Sequence, residues 1–563
     1  MSIAELVHGL PELPTGLSRG TWGAFVPLAA LWAIGLFLLF ACRRRIDASR
    51  RFADGVLAVT LLYAAAMSFG LLDGGNDWGG DFSEYVAQAR SLCEGTVELQ
   101  VARNSYIIAN SPPLTGDNVY PWGTPLLLAP FYAVFGKNLF FLKIPMCLAF
   151  VGAVFFLNRL FRVHFGAFQA ELATLMVAAN PVYATAVDTP LSDLPFLCCS
   201  AFSLLCLEKL FRATGREQIR YGTGVGLGAF LACLMRTNGI VFPCVLVALH
   251  GLLLVDGTEH GGKLLHALGF GGFARPVPTA HVLAYAFFLL PTSLERVLLP
   301  HGTAHVSCLG LVTPESVWDN CRYYLFLPRA FFPDGGRLLA ALALPFFLYG
   351  FLRCFFKKPV LALHACASTG ILLLWPAKQG FRFLFPVMPA LLVFAGTGIR
   401  DCLARVRNAR AMQLALLPEM LLLLLSGTRL AMRAARNLDG YCVAHNDYGA
   451  YSGEARDMYA FIRARTPEDA KIVFFKPRVL YLETGRLGFR TDDPGRLGEA
   501  DYLLLTVDVP KEGEIGYDIE TNHPSVASRL EKTYENPRFK LYRILPTEPV
   551  PADGTLSAGK GAC

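Results

Sequence analysis

The chain has 563 residues, of which 54% are hydrophobic and only 17% are charged. About 25% charged residues is usual for a soluble globular domain, so the composition argues against an ordinary soluble enzyme and excludes a disordered chain, a coiled coil and a collagen-like fibre. The net charge of +7 comes from short basic clusters between apolar runs, which indicates membrane topology rather than nucleic-acid binding.

Twelve apolar segments are candidates for membrane-spanning helices, each of which needs about 20 apolar residues. We therefore predict an all-α polytopic membrane protein of about 12 transmembrane helices with a small C-terminal extracytoplasmic α/β domain. The predicted spans are Trp22–Cys42, Asp54–Leu72, Leu139–Leu157, Glu171–Ala186, Leu191–Leu207, Tyr221–Leu234, Gly239–Val255, Thr279–Leu294, Leu338–Leu352, Pro359–Trp375, Phe383–Ile399 and Met412–Leu425.

The loops between the spans predict the orientation of the chain. Loops on one side, beginning with Arg43, Arg44 and Arg45, carry about twice as many Lys and Arg residues as the longer loops on the other side. Because positive loops stay in the cytoplasm, the outer side receives the loops 73–138 and 296–337 and everything after about residue 428.

The sequence changes character after Arg429. An alternation of helical and strand patterns there predicts a small α/β domain. The predicted elements are a helix at Ala455–Arg465, strands at Lys471–Phe475, Asp501–Thr506 and Arg538–Leu545, and a short helix at Pro477–Thr484. The predicted organisation is a first span and cytoplasmic loop (1–53), a transmembrane module (54–429), the outer α/β domain (430–547) and a flexible tail (548–563).

The most informative stretch is Asp73–Tyr85, directly after the second predicted span. It contains three aspartates and one glutamate, with paired glycines that allow close approach of a ligand. Asp81 precedes a helical pattern, and a helix N-terminus favours an ionised carboxylate. A plain helix cap in a solvated loop has the same pattern, so both interpretations stay open. Asp77, Glu84 and Tyr85 are candidate substrate-binding neighbours.

Two further outer motifs add to this loop. Asp193 lies where the fifth span begins, and an ionisable residue at that position is costly unless it is paired or used. The segment that starts at Tyr120 and Trp122 is apolar but interrupted by prolines. It has the character of a re-entrant or interfacial piece whose aromatic rings lie at headgroup depth, although a simple connector would fit as well.

Three cations complete the predicted outer site. Lys378 and Arg382 precede the eleventh span, and Arg236 follows the sixth. Arginine can bind a phosphate with two parallel hydrogen bonds, and lysine can bind it as a point charge. Both side chains could instead extend to lipid headgroups. Acids, cations and an apolar interfacial cleft on one face together suit a lipid substrate that carries a phosphate.

These motifs resemble those of the C-type glycosyltransferase (GT-C) superfamily, and in particular bacterial relatives of the protein O-mannosyltransferases and the lipid A aminoarabinose transferases. The resemblance covers roughly residues 54–400 and rests on Gly80–Tyr85, Tyr120–Pro125, Ser192–Pro195 and Arg382–Pro386. It implies an enzyme of the bacterial inner membrane that moves a sugar from a polyprenyl-phosphate donor to a protein, lipid or glycan acceptor outside the cytoplasm.

The resemblance also implies roles for individual residues. Asp81 would act as general base in an inverting displacement. Asp193 would position the acceptor or, as in some branches, bind a divalent metal, and the outer cations would stabilise the departing phosphate. Phe82 stands where related branches have a second acid, and Thr124 stands where one branch has a lysine. The sugar and the acceptor therefore stay open.

Two other classes of protein fit parts of the pattern. A transporter or flippase would also have about twelve spans, but the acids here cluster in loops, and the two halves show no obvious repeat. A membrane anchor that presents the outer α/β domain is the third possibility.

Overall fold

The computed structural model describes residues 19–405 and 423–546, except for 114, 271–274, 303–307, 333–335, 377, 379, 440–448, 508–513 and 517–518. The described chain is largely helical, and its one sheet lies near the C-terminus. It divides into two compact units, the first within Met1–Asn104 and Gly116–Tyr451 and the second within Ser105–Thr115 and Ser452–Cys563.

The first unit is built from helices. In chain order they are α1 (Arg19–Ala41), α2 (Arg43–Ala48), α3 (Arg50–Gly70), α4 (Gly80–Glu94), α5 (Val97–Ala109, which ends in the second unit), α6 (Gly123–Phe135), α7 (Leu139–His164), α8 (Ala167–Ala178), α9 (Pro181–Thr185), α10 (Asp193–Leu210), α11 (Arg216–Met235), α12 (Val241–Asp256), α13 (Glu259–Ala267), α14 (Pro278–Leu298), α15 (Pro314–Phe326), α16 (Gly336–Cys354), α17 (Pro359–Leu374) and α18 (Met388–Leu403). Residues 423–439 are also helical.

Eleven predicted spans coincide with helices, although some boundaries differ. The fourth is bent by 46° between Ala167–Ala178 and Pro181–Asp188, because a proline cannot donate the hydrogen bond that would continue the helix. The twelfth, Met412–Leu425, lies mostly outside the described residues. The helix over 423–439 runs past Arg429, where the sequence pattern placed the end of the transmembrane module.

Length and apolarity single out fewer membrane-spanning helices than the sequence predicts. In the part of the chain that the structure describes, four helices are long and apolar enough to cross a membrane, or five if the bent pair counts as one span. The four are Gly20–Ala41, Arg50–Gly70, Leu139–His164 and Thr237–Asp256. The expectation of twelve spans is therefore not confirmed.

The first predicted outer loop is itself largely helical. It contains α4, α5 and α6, and α4 packs against α6. A Cβ atom on Gly123 would lie 2.6 Å from the carbonyl oxygen of Leu234, so only glycine allows the start of α6 to approach the end of α11 this closely. The Pro-interrupted segment is thus a packed helix rather than a simple connector.

The second unit contains a five-stranded sheet. Its strands are β1 (Lys471–Val473), β2 (Leu487–Phe489), β3 (Tyr502–Thr506), β4 (Leu530–Glu535) and β5 (Phe539–Ile544), and its helices are α19 (Gly453–Arg465), α20 (Pro477–Thr484), α21 (Ile519–Asn522) and α22 (Pro524–Ala527). The strand order is β2-β1-β3-β5-β4, with β1 parallel to β2 and β3 and with β5 antiparallel to β3 and β4. The predicted α/β elements are all present, and β2 and β4 are additional.

A buried ion cluster fixes the start of the segment 73–81 to α7. The Lys143 side chain is fully buried, and its Nζ atom lies 3.0 Å from Asp73 Oδ1 and 2.6 Å from Asp188 Oδ1. The same ammonium group donates to the carbonyl oxygens of Asp73 and Gly75. A buried charge needs such partners, because taking it out of water is expensive.

We expect Lys143→Met to destabilise the protein strongly, because it leaves the carboxylates of Asp73 and Asp188 without their cation. Removing one partner of a buried ion pair typically costs about 3–5 kcal/mol. Lys263→Met is the matched control, since Lys263 forms an exposed helical pair with Glu259 and such pairs contribute little. Thermal unfolding in detergent measures both variants, and equal melting temperatures would contradict the structural role of Lys143.

Candidate functional site

Four predicted site residues from distant parts of the chain meet in one ion cluster. The Arg382 guanidinium donates to Asp81 Oδ2 at 3.2 Å, and its other terminal nitrogen lies 3.8 Å from Asp193 Oδ2. Arg236 donates to the other oxygen of Asp193. Two carboxylates and two guanidinium groups therefore face each other over a few ångströms.

The local backbone explains where each charge stands. Asp81 lies in the first turn of α4, and Asp193 is the first residue of α10, so both carboxylates sit at helix N-termini, which favour negative charge. Arg382 lies in a 3-10 turn over Phe381–Leu384, directly after Gly380, whose φ of 72° suits glycine. The turn holds Arg382 outside the following helix α18.

The two acids differ in exposure. The side chain of Asp193 is 5% exposed, and that of Asp81 is 38% exposed. Burial opposes the charge on Arg382, but the carboxylates of Asp193 and Asp81 raise the pKa of its guanidinium above the ordinary value, so it stays cationic. Asp81 is thus the carboxylate that a ligand can reach, and Asp193 is the buried counter-charge.

Aromatic rings surround the cations and Asp81. The guanidinium carbons of Arg236 and Arg382 lie 4.6 Å and 5.7 Å from the centre of the Phe383 ring, where cation–π attraction adds to the ion pairs. The Tyr120 hydroxyl donates to Asp81 Oδ1 at 2.8 Å. The Tyr120 and Tyr85 rings pack at 5.0 Å.

Neighbouring polar groups hold these tyrosines in place. Gln88 bonds to both the carbonyl oxygen and the N–H of Tyr120. The Tyr85 hydroxyl donates to Ser192, the residue before Asp193, at 3.0 Å. Burial raises the pKa of Tyr85 to about 12, with the nearby Arg236 charge opposing the rise. The phenol therefore remains protonated at neutral pH and serves as a donor.

The other predicted site residues lie away from this ion cluster. Glu84 is buried and accepts from Gln100. The Trp122 indole donates to the carbonyl oxygen of Pro300 at 2.7 Å. Asp77 is exposed. Glu84 and Trp122 thus have contacts that support the architecture.

Lys378 is also separated from Asp81 and Asp193. Its Nζ atom lies 4.0 Å from Asp319 and 5.7 Å from the centre of the Tyr323 ring, and nearly half of the side chain is exposed. The structure therefore brings Arg382 and Arg236 together with the acids, and it directs Lys378 towards α15.

Comparisons with known proteins agree with this arrangement. The family model for dolichyl-phosphate-mannose-protein mannosyltransferase matches residues 120–274, a range that includes Tyr120, Asp193 and Arg236. A structure of ArnT from Cupriavidus metallidurans in the apo state has a TM-score of 0.53 and 14% identity, covering 87% of this chain and 98% of that chain. ArnT bound to undecaprenyl phosphate has a TM-score of 0.52 and 16% identity, with the same coverage.

A more distant structure is the oligosaccharyltransferase AglB from Archaeoglobus fulgidus, in complex with an inhibitory peptide and a dolichol-phosphate. It has a TM-score of 0.46 and 15% identity and covers 80% of this chain and 69% of that chain. No match is found among curated protein sequences.

The predicted resemblance to the GT-C superfamily is confirmed. At this low identity the likeness to ArnT concerns the fold, which is that of a polytopic integral membrane protein. The GT-C fold accounts for the arrangement of helices, and the ion cluster is formed by this chain's own residues.

The carboxylates of the ion cluster contact arginines and do not gather into a metal-binding group. Among the described residues, no three His, Cys, Asp or Glu side chains form a group that could hold a metal ion. Asp193, the predicted metal ligand in some branches, accepts from Arg236 and lies near Arg382. This donor set fits a cationic partner such as arginine better than it fits a divalent metal.

Sequence reasoning missed the role of Lys143. A lysine near the start of an apolar span is costly without a partner, and that signal could have pointed to Asp73 and Asp188. The hydrogen bond between Tyr120 and Asp81 joins residues 39 positions apart, and no local pattern predicts it.

We expect the two acids of the ion cluster, Asp81 and Asp193, to differ in their effect on stability. Asp193→Ala leaves Arg236 and Arg382 facing each other without their shared buried carboxylate, which costs about 3–5 kcal/mol of unfolding free energy. Asp81→Ala removes a partly exposed partner and costs about 1 kcal/mol or less. Unfolding titrations in detergent compare the two variants, and an equal loss in both would show that burial does not distinguish the acids.

Proposed function

We propose that this chain is a membrane glycosyltransferase that transfers a sugar from a polyprenyl-phosphate-linked donor to an acceptor outside the cytoplasm. The observation that carries the proposal is the position of Arg382 between the accessible carboxylate of Asp81 and the buried carboxylate of Asp193. The match of residues 120–274 to a family that uses a dolichyl-phosphate sugar supports it, as does the shared fold with ArnT, which binds undecaprenyl phosphate.

Asp81 is the proposed general base. Its carboxylate would take the proton of the acceptor nucleophile while that nucleophile forms a bond to the anomeric carbon of the sugar. The bond from this carbon to the phosphate oxygen breaks, and the polyprenyl phosphate leaves with the electron pair. Direct displacement by the acceptor inverts the anomeric configuration. General-base catalysis typically contributes about 10²–10⁴-fold to a rate.

Arg382 is the proposed phosphate-binding cation. Its fork of N–H donors suits phosphate oxygens, which gain charge as the sugar departs. A bound phosphate would compete with Asp81 for this guanidinium and so release the carboxylate to act as a base. Binding of the donor would thereby prepare the base for the acceptor.

The other residues are proposed to position these two. Asp193 holds Arg236 and Arg382 through ion pairs, and Tyr120 orients the Asp81 carboxylate through its hydroxyl group. Tyr85 braces the Tyr120 ring. Lys378 is exposed, with Asp319 4.0 Å away, so we assign it no contact with the leaving phosphate.

The finer topology belongs to the same proposal. We infer about twelve spans in a bacterial inner membrane, with the ion cluster and the second unit on the outer side. The excess of Lys and Arg in the opposite loops supports this orientation. We also infer that the outer domain 430–547 follows the transmembrane module 54–429.

The test is transfer by the Asp81→Asn variant. Mass spectrometry of envelope glycolipids and glycoproteins, from cells with and without the intact gene, first identifies the product. Purified Asp81→Asn should then form that product about 10²–10⁴-fold more slowly, because an amide cannot accept the proton. Its melting temperature should stay near that of the wild type.

The matched control is Glu98→Gln, which neutralises an exposed acid in the first turn of α5 and should keep full activity. Unchanged transfer by Asp81→Asn would contradict the assigned base. A product difference that reflects only movement of an intact solute across the membrane would favour a transporter.

A further inference from the structure

A cavity lies at the end of α10 opposite Asp193. Its volume is about 860 Å³, which is within the range of small-molecule sites. Asp193 begins α10 and Lys209, which lines this cavity, lies near the end of that helix. Lys209 stands sixteen positions after Asp193, which corresponds to about 24 Å at 1.5 Å per residue, so the cavity is separated from Asp193 by most of the thickness of a bilayer core.

The cavity is strongly basic. Five cations line it, together with the single acid Asp47. The cations are Arg50, Arg159, Arg162, Lys209 and Arg220.

Two of these cations are already neutralised. Asp54 forms ion pairs with both Arg159 and Arg162, at 3.0 Å and 2.6 Å, and Glu171 binds Arg162 as well. Asp47 accepts the backbone N–H of Phe168.

The other three cations have no ion-pair partner among the described residues. They come from α3, α10 and α11 and are Arg50, Lys209 and Arg220. Three elements thus direct positive charge to one cavity without an equal number of acids, and an anionic ligand would supply the missing charge.

One wall of the cavity is apolar and aromatic. The Phe155 and Phe156 rings pack at 5.4 Å, and the Phe156 and Phe202 rings pack at 5.2 Å. Leu205 and Cys206 extend this wall along α10. A soluble anion would gain nothing from such a surface, whereas a lipid would place its phosphate among the cations and the start of its chains against the phenylalanine rings.

We propose that this cavity binds the phosphate headgroup of an anionic membrane lipid at the membrane face opposite the Asp81 site. Each Lys or Arg near an anionic lipid contributes roughly a fivefold gain in affinity. The proposal is independent of the transferase function, because none of these residues contacts the Asp81–Arg382–Asp193 cluster.

The test measures lipid binding to the full-length protein in detergent by native mass spectrometry. Wild-type protein should bind phosphatidylglycerol more tightly than zwitterionic phosphatidylethanolamine. The triple variant Arg50→Gln/Lys209→Gln/Arg220→Gln should lose about tenfold to a hundredfold of the affinity for phosphatidylglycerol. Because Arg50 is exposed, the single reversal Arg50→Glu provides a variant that should fold and also bind more weakly.

The matched control removes three exposed cations of the same predicted face that do not line the cavity, in Arg44→Gln/Arg45→Gln/Lys263→Gln. Its affinity should stay within about twofold of the wild type. An equal loss of affinity in this control would show that general surface charge, and not the cavity, attracts the lipid. Equal binding of phosphatidylethanolamine would show that the site does not select an anionic lipid. Either result would overturn the proposal. Displacement of the lipid by inorganic phosphate alone would instead identify a soluble anion as the ligand and would also overturn it.

Discussion

The arrangement of the ion cluster depends on one guanidinium group. Arg382 faces two carboxylates that belong to different helices, Asp81 on α4 and Asp193 on α10. Because one cation cannot fully neutralise two acids, Arg236 completes the balance from the end of α11. The segment 73–81 is thereby tied to α10 and α11, and the cation that we propose to bind phosphate stands next to the carboxylate that we propose as the base.

A second ion cluster fixes the other end of the same segment. Lys143 holds Asp73 where the segment begins, and Arg382 holds Asp81 where α4 starts. A buried charged side chain can occupy few alternative positions, because losing its ion-pair partners is energetically costly. The glycine-rich stretch between the two aspartates is therefore constrained at both ends, which gives a precise position to a carboxylate that remains partly exposed.

The sequence predicted the features that depend on composition and local periodicity. Apolar runs predicted the helices, and the assignment of Asp81, Asp193 and Arg382 to loops or span ends on the same side predicted that they share a face. It did not predict the separation of Lys378 from Arg382. Four residues apart, they would lie on one side of a helix, but Gly380 has a positive φ and breaks that spacing.

The sequence also did not predict strand β4, because its local pattern does not indicate a strand. Its side chains are mostly exposed and include several charges, so it lacks the apolar alternation that marks a strand. Tertiary contacts determine both the edge strands and the ion pairs between residues that are distant in sequence.

The most direct test of the central claim is a cryo-EM structure of the full-length protein with a polyprenyl phosphate. Our account predicts a phosphate oxygen about 3 Å from the Arg382 guanidinium and a contact between Arg382 and Asp81 longer than the present 3.2 Å. A phosphate bound elsewhere, with the contacts of Arg382 to both aspartates intact, would contradict it.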